Sequence, residues 1–130
     1  MKKDQLKKAL ITLFEVISII KRQEQCDDII RDSLIKRFEY TSELFWKTMK
    51  EYLYNEHAIE AHSPKNVMRE CRNINLFSEE ETKYAIEILE ARNEAAHAYH
   101  EKKANEIAHK IPKYAEFIQE ITNRINSFVG

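Results

Sequence analysis

Hydrophobic residues recur at steps of three and four along most of the chain, a spacing that places them on one side of an α-helix. The first such stretch runs from about Lys3 to Arg22, with apolar positions at Leu6, Leu10, Leu13, Phe14, Ile17 and Ile20. A polar break over residues 22–25 separates it from a second stretch, from near Asp27 to Asn55, that contains no glycine or proline. At about 1.5 Å per residue this second helix would span roughly 40 Å, and we expect it to be the spine of the fold.

Two sequence signals mark the starts of further helices. Ser63 supplies an N-cap residue and Pro64 a proline at the first helical position, both of which are favoured there. Ser78 followed by Glu81 forms a capping box, and the acidic residues 79–81 complement the dipole of the helix that begins there. The pattern therefore predicts a short third helix and a fourth helix that continues into the run Arg92–Tyr99.

A last helix is predicted from about Lys102 to Phe128. Pro112 lies inside it and should kink it, because proline removes one amide donor and crowds the preceding turn. Together the patterns predict an all-α fold, a five-helix antiparallel up-and-down bundle with the third helix as a crosspiece and a kinked C-terminal helix.

Composition narrows the possible classes of protein. The 130 residues include one glycine and two prolines, too few for the turns of a β-sandwich or an α/β fold, and they are expected to form a single domain, residues 1–130. The net charge of −1 excludes nucleic-acid binding by bulk electrostatics, so any such contact must be local. The sequence contains neither an apolar run of membrane-spanning length nor a signal-peptide pattern, and we expect a cytoplasmic protein without membrane association.

The cysteines and the loop histidines give weak signals for metal or disulfide chemistry. Cys26 and Cys71 stand alone, without a CxxC motif, and are expected to be reduced thiols. His57 and His62 are five residues apart in a predicted loop with no third ligand nearby. We therefore expect neither a metal site nor a cofactor, and no catalytic role for these two histidines.

The strongest candidate for chemistry is the run Arg92–Tyr99, which carries an arginine, an amide, a carboxylate, a histidine and a phenol among alanines. If the run is helical, Arg92 and Tyr99 share a face, since they are seven residues apart. Asn93 and His97 lie four apart on the neighbouring face. Arg92 and His97 would then diverge by about 140° around the helix axis, so they cannot both point straight at one spot.

A site that uses both Arg92 and His97 needs one of three arrangements. The arginine curls, the helix ends near His97, or a second copy of the chain faces the first. A stripe of small residues, Ala91, Ala95 and Ala98, would let another helix approach closely and favours the second copy. A two-fold homodimer would bring two arginines and two histidines into one cleft.

These residue types suit one reaction in particular. Two histidines can act as general base and general acid near neutral pH, and arginine offers a planar charged fork for a phosphate. Together they fit metal-independent attack of an RNA 2′-hydroxyl on its own phosphate. The structural alternative is that Arg92 pairs with a nearby glutamate and His97 caps or crosslinks helices.

The pattern Arg-Asn-x-x-x-His-x-Tyr, here Arg92, Asn93, His97 and Tyr99, resembles the signature of the HEPN superfamily. More narrowly, the chain resembles the proteins encoded beside minimal nucleotidyltransferases, called nucleotidyltransferase substrate-binding proteins or HepT-type toxins. The segment RFEYTSELFWKTMKEYL and the helix start at Ser63 resemble that family in order and spacing, so the similarity covers nearly the whole chain.

The resemblance implies a helical bundle, a homodimer with a site composed across it, and a cognate minimal nucleotidyltransferase as antitoxin partner. In the toxin branch it implies that Arg92 and His97 serve RNA cleavage, with Asn93 in support, and that the partner attaches AMP to Tyr99. Our hypothesis is therefore an endoribonuclease toxin. Two alternatives stay open, a non-catalytic subunit that presents substrate to the nucleotidyltransferase and a plain dimeric scaffold.

Overall fold

A computed structural model describes residues 2–23, 27–97 and 100–129, and all regular structure within these ranges is helical. These described ranges contain five α-helices: α1 Lys2–Gln23, α2 Asp28–His57, α3 Pro64–Asn73, α4 Glu79–Ala95 and α5 Glu101–Val129. The predicted all-α class and the number of helices are confirmed. Cys26 and residues 24–25 of the predicted break before α2 lie outside the described residues.

The helix starts that the sequence signals predicted are confirmed by their caps. The Ser63 side chain accepts a hydrogen bond from the backbone N–H of Asn66, with Pro64 in the first turn of α3. At α4 the backbone N–H of Glu81 donates to Ser78 Oγ at 3.1 Å, and the N–H of Ser78 donates to Glu81 Oε1 at 2.8 Å. Both hydrogen bonds of the capping box are thus present, which fixes where α4 begins.

Helix α2 is the spine of the bundle, as predicted, because it packs against each of the other four helices. Its buried side includes Phe38, Phe45, Met49 and Leu53, all completely shielded from solvent. The ring of Phe38 stacks on that of Tyr114 from α5, with centroids 5.7 Å apart. One hydrophobic core draws on all five helices, and α2 passes through it.

Helix α5 is tied to the start of α4 by Arg124. Its guanidinium donates to the backbone carbonyl of Leu76 at 2.7 Å and to Glu81 Oε2 at 2.9 Å, so the capping residue of α4 is also an ion-pair partner. Nearer its start, α5 continues through Pro112. The predicted kink at that residue stays a prediction.

Candidate functional site

Helix α4 continues into the run Arg92–Tyr99, as predicted, but ends at Ala95, so of the three arrangements left open by the sequence the structure has the helix that ends near His97. Helix α4 ends at Ala95, and the next backbone N–H groups close its last turn, Ala96 onto the carbonyl of Arg92 at 3.2 Å and His97 onto that of Glu94 at 3.0 Å. The physical reason is tertiary. Helix α5 already begins at Glu101 and packs against α4, so α4 must end before that residue.

This early end changes the geometry expected from helical spacing. The divergence of about 140° between Arg92 and His97 applies only to a continuous helix, and His97 lies in the turn beyond it. For the same reason helical periodicity does not place Tyr99 on the face of Arg92. Tyr99 and Ala98 lie outside the described residues, so the modification predicted at Tyr99 stays a prediction.

Arg92 lies on the last turns of α4, where its side chain is 36% exposed and reaches α2. Its guanidinium forms an ion pair with Glu43 Oε2 at 3.1 Å and donates to Asn93 Oδ1 at 3.4 Å. Its buried Nε has no hydrogen-bond partner within the described part of the chain. The structural alternative raised by the sequence, an Arg92–glutamate pair, is therefore present, yet the guanidinium keeps an unused donor.

Glu43 is the residue that sequence reasoning missed. Its i,i+4 spacing from Lys47 indicates only a surface ion pair, and that pair exists at 3.2 Å. The same carboxylate also accepts a hydrogen bond from Trp46 Nε1 at 3.2 Å and faces Arg92. Spacing along α2 contains no signal for Arg92, which belongs to another helix, although Glu43 lies inside the segment that resembled a known family.

The charges around Glu43 act together on its ionisation. Partial burial favours the protonated carboxyl, but hydrogen bonds from Trp46 and Lys47 and the positive charge of Arg92 outweigh that effect and lower the pKa of Glu43. Glu43 therefore stays ionised near neutral pH. It compensates the charge of Arg92 in the free chain.

Ion pairs on both sides hold the turn that carries His97. Lys103 of α5 pairs with Glu94 of α4 at 3.1 Å. Arg31 of α2, only 11% exposed, lies 3.8 Å from Glu101 at the start of α5 and donates to Asn105 Oδ1 at 3.2 Å. His97 itself is exposed. These contacts connect α4 and α2 to the start of α5, and His97 lies at the surface between α4 and α5.

The stripe of small residues does not support a dimer in the way the sequence suggested. Ala91 and Ala95 are each 8% exposed and belong to the chain's own hydrophobic core. The helices that approach them closely are therefore helices of the same chain. Ala98, the third member of the stripe, lies outside the described residues.

The other residues considered for metal or thiol chemistry, His57 and Cys71, pack against neighbouring side chains. The His57 ring packs edge-on against Tyr52 with centroids 5.4 Å apart. Cys71 is buried, and burial raises the pKa of its thiol to about 12. Across the described ranges no cluster of three or more metal-ligating side chains occurs. No described helix is both long and apolar enough to cross a membrane.

Comparisons with known proteins agree with this architecture. The family model described as nucleotidyltransferase substrate binding protein like matches residues 2–127. A protein of known structure from Thermus thermophilus is 35% identical, with a TM-score of 0.84 over 92% of this chain and 97% of that chain. A search of curated proteins found no match.

Two more distant structures share the fold. One is a tri-AMPylated Shewanella oneidensis HEPN toxin in complex with MNT antitoxin, 17% identical with a TM-score of 0.77 over 97% of this chain and 94% of that chain. The other is a toxin–antitoxin with AMP-PNP, 16% identical with a TM-score of 0.76 over 95% and 94% of the two chains. At these identities the likeness shows a common fold.

Proposed function

Because the chain belongs to the nucleotidyltransferase substrate binding protein like family and has the HEPN fold, we propose that it is an endoribonuclease toxin with a cognate minimal nucleotidyltransferase as antitoxin. The observation that carries the proposal is Arg92, held at the surface end of α4 by Glu43 and followed by exposed His97 in a braced turn. In this proposal residues 1–130 act as one helical domain in the cytoplasm.

The proposed reaction cleaves RNA without a metal or cofactor. Arg92 binds the scissile phosphate and offsets the charge that develops on it, with Asn93 supporting the guanidinium. His97 takes the proton of the 2′-hydroxyl, whose oxygen bonds to phosphorus while the bond from phosphorus to the 5′-oxygen breaks. A second imidazolium protonates the leaving oxygen, giving a 2′,3′-cyclic phosphate and a 5′-hydroxyl.

A homodimer is part of the proposal because the motif supplies one histidine per chain and the reaction needs both a base and an acid. A co-purified heterodimer of one wild-type chain and one His97→Ala chain tests it. If the reaction uses His97 of both copies, this heterodimer should lose nearly all activity. A heterodimer that keeps about half of the wild-type activity would exclude a site that needs both His97 side chains.

The antitoxin would act by transferring AMP from ATP to the hydroxyl of Tyr99, with release of pyrophosphate. The support is the position of Tyr99 two residues after His97 and the AMP groups on the distant HEPN toxin. Phosphate and nucleotide bulk beside the site would exclude an RNA phosphate. Intact mass after incubation with the partner, ATP and Mg²⁺ should rise by one or more AMP units, and an equal rise with Tyr99→Phe would contradict this step.

A second function is favoured by one observation. Arg92 is already paired with Glu43, which suits a non-catalytic subunit that binds substrate for the nucleotidyltransferase. In that case Arg92 would be a structural and binding residue, and His97 would have no part in chemistry.

Expression without the partner separates the two functions. The wild-type chain should slow growth and cleave RNA, Arg92→Ala and His97→Ala should do neither, and His109→Ala, an exposed histidine of α5, serves as the matched control. Cleavage that persists in purified His97→Ala protein would refute the catalytic role. Absence of cleavage in all four proteins, with partner binding retained, would favour the subunit.

A further inference from the structure

A groove along α2 begins beside the Arg92–Glu43 ion pair and leads toward the end of the helix. Its floor includes Trp46, Lys50 and Tyr54, which recur at four-residue steps and therefore lie in a row on one face of α2. The groove measures about 510 Å³, a size typical of ligand-binding pockets. Trp46 also donates a hydrogen bond to Glu43, and this bond connects the groove to the candidate site.

The opposite wall is residues 59–62, which the fold holds in place. Ala58 adopts the left-handed conformation, with φ of 55°, and reverses the chain just after α2. Its N–H donates to the carbonyl of Tyr54 at 3.1 Å, and the N–H of Ile59 donates to the carbonyl of Leu53 at 3.1 Å. Ala61 is then buried in the core, at 1% exposure. The groove is therefore built by helix capping and core packing.

The lining combines aromatic faces with positive charge. The hydrogen bond to Glu43 orients the indole of Trp46, and Tyr54 is 59% exposed with its ring accessible. Lys2, Lys47 and Lys50 line the groove together with His62, against the two carboxylates of Glu51 and Glu60. Aromatic rings beside lysines are the arrangement that proteins use to stack bases and neutralise the backbone of single strands. Since the net charge of the chain is only −1, such a local patch is what RNA binding would require.

We propose that this groove binds single-stranded RNA and leads it to Arg92, with bases stacked on Trp46 and Tyr54 and phosphates paired with Lys50 and Lys2. This inference rests on the proposed ribonuclease function and names where its substrate lies. From Glu43 to Tyr54 the helix extends about 16 Å, enough for several nucleotides. A double helix keeps its bases stacked inside and gains nothing from an aromatic row, so the groove selects single strands.

Trp46 makes the test direct, because it is the only tryptophan in the chain. The full-length protein is titrated with a 2′-O-methyl oligouridylate, which binds like RNA but cannot attack its own phosphate. Binding should quench Trp46 fluorescence. Tyr54→Ala should weaken binding about tenfold, the effect of losing one stacked base. Tyr40→Ala, a tyrosine of α2 with the same 59% exposure outside the groove, should leave affinity unchanged.

A second measurement tests the phosphate contacts. The slope of log affinity against log salt concentration should fall by about 0.7 in Lys50→Gln, as expected for one lost phosphate contact with a single strand. Lys36→Gln is the matched control, since Lys36 is an 85% exposed lysine of the same helix that does not line the groove. An equal change of slope in both variants would overturn the proposed path.

Three results would overturn the groove: equal affinity of Tyr54→Ala and Tyr40→Ala, binding without quenching of Trp46, or equal binding of a duplex. A groove that instead holds the nucleotidyltransferase would appear as loss of partner binding, and not of RNA binding, in Tyr54→Ala. The same experiments distinguish failure of the groove from failure of the proposed function. RNA binding that quenches Trp46 without any cleavage would support the groove and refute the ribonuclease function. His97-dependent cleavage that is equal in Tyr54→Ala and Tyr40→Ala would refute only the groove.

Discussion

Replacing Glu43 by glutamine should release Arg92 from its ion pair while preserving the shape of the site. Glutamine is nearly isosteric with glutamate, and its side-chain oxygen can still accept the hydrogen bond from Trp46. Only the negative charge that faces Arg92 and Lys47 is lost. We therefore expect the Glu43→Gln protein to bind an RNA phosphate more tightly than the wild type.

The magnitude follows from distance and exposure. Two unit charges about 4 Å apart interact by about 1 kcal/mol in water and about 4 kcal/mol near a protein surface. The Arg92 and Glu43 side chains are 36% and 32% exposed and lie 3.1 Å apart. Ion pairs with this much solvent contact contribute at most about 1 kcal/mol. Losing that competition should tighten RNA binding about fivefold at low salt, and the gain should shrink as salt screens the charges.

Fluorescence anisotropy with the 2′-O-methyl oligonucleotide, at low and high salt, measures this change. The matched control is Glu39→Gln, which removes the same charge from α2 but from a carboxylate that pairs with Lys36 at 3.8 Å. Equal tightening in the two variants would mean that net charge, and not the ion pair, is responsible. In an Arg92→Ala background the gain should vanish. A gain that persists there, or no gain at all in Glu43→Gln, would refute the reasoning.

Three further predictions concern stability and reactivity. Arg124→Met should lower the free energy of unfolding, measured in urea, by about 2 kcal/mol, because it removes the ion pair with Glu81 and the hydrogen bond to the carbonyl of Leu76. The control Lys83→Met removes only an exposed ion pair with Glu80 at 4.0 Å and should change that free energy little. The hydrogen bond and charge of Arg124 hold the pKa of Glu81 below 4.5 in the folded protein. The stabilisation that this ion pair provides is therefore present above pH 4.5 and should be lost as the pH falls through the folded-state pKa of Glu81. In thermal melts, the melting temperature of Arg124→Met should fall less on acidification than that of the wild type. In a Cys26→Ser chain the thiol of Cys71, with its pKa raised to about 12, should react with a thiol reagent at about pH 8 only after unfolding, and fast reaction of the native protein would contradict its burial.

Structural features that depend on residues close together in the chain could be predicted from the sequence. The starts of α3 and α4 were predicted because Ser63 and Ser78 bond to backbone groups three residues away, an interaction that the order of residues alone describes. The five helices and the central position of α2 followed from apolar spacing for the same reason.

Features set by the meeting of distant helices were not predictable in this way. The end of α4 at Ala95 has no glycine or proline to mark it, because the position at which α5 begins and packs determines it. The partner of Arg92 is Glu43, on a helix formed much earlier in the chain, and apolar periodicity carries no information on such a pair. Ala91 and Ala95 were identified correctly as part of a contact surface, but their neighbours are in the same chain.

The end of α4 also changes the reason for proposing a second copy of the chain. On a continuous helix, Arg92 and His97 would point in different directions, and a second copy of the chain was the favoured way to bring them to one site. With His97 in a turn beyond the helix, that geometric argument no longer holds, and the buried alanines add nothing to it. The remaining argument for a dimer is proton transfer, because one imidazole cannot both accept the 2′-hydroxyl proton and protonate the leaving oxygen in the same step. His100, just before α5, would remove even this requirement if it served as the acid. Three results together would place the whole reaction within a single chain: loss of cleavage in His100→Ala, half activity in the heterodimer of wild-type and His97→Ala chains, and no activity in a heterodimer of Arg92→Ala and His97→Ala chains.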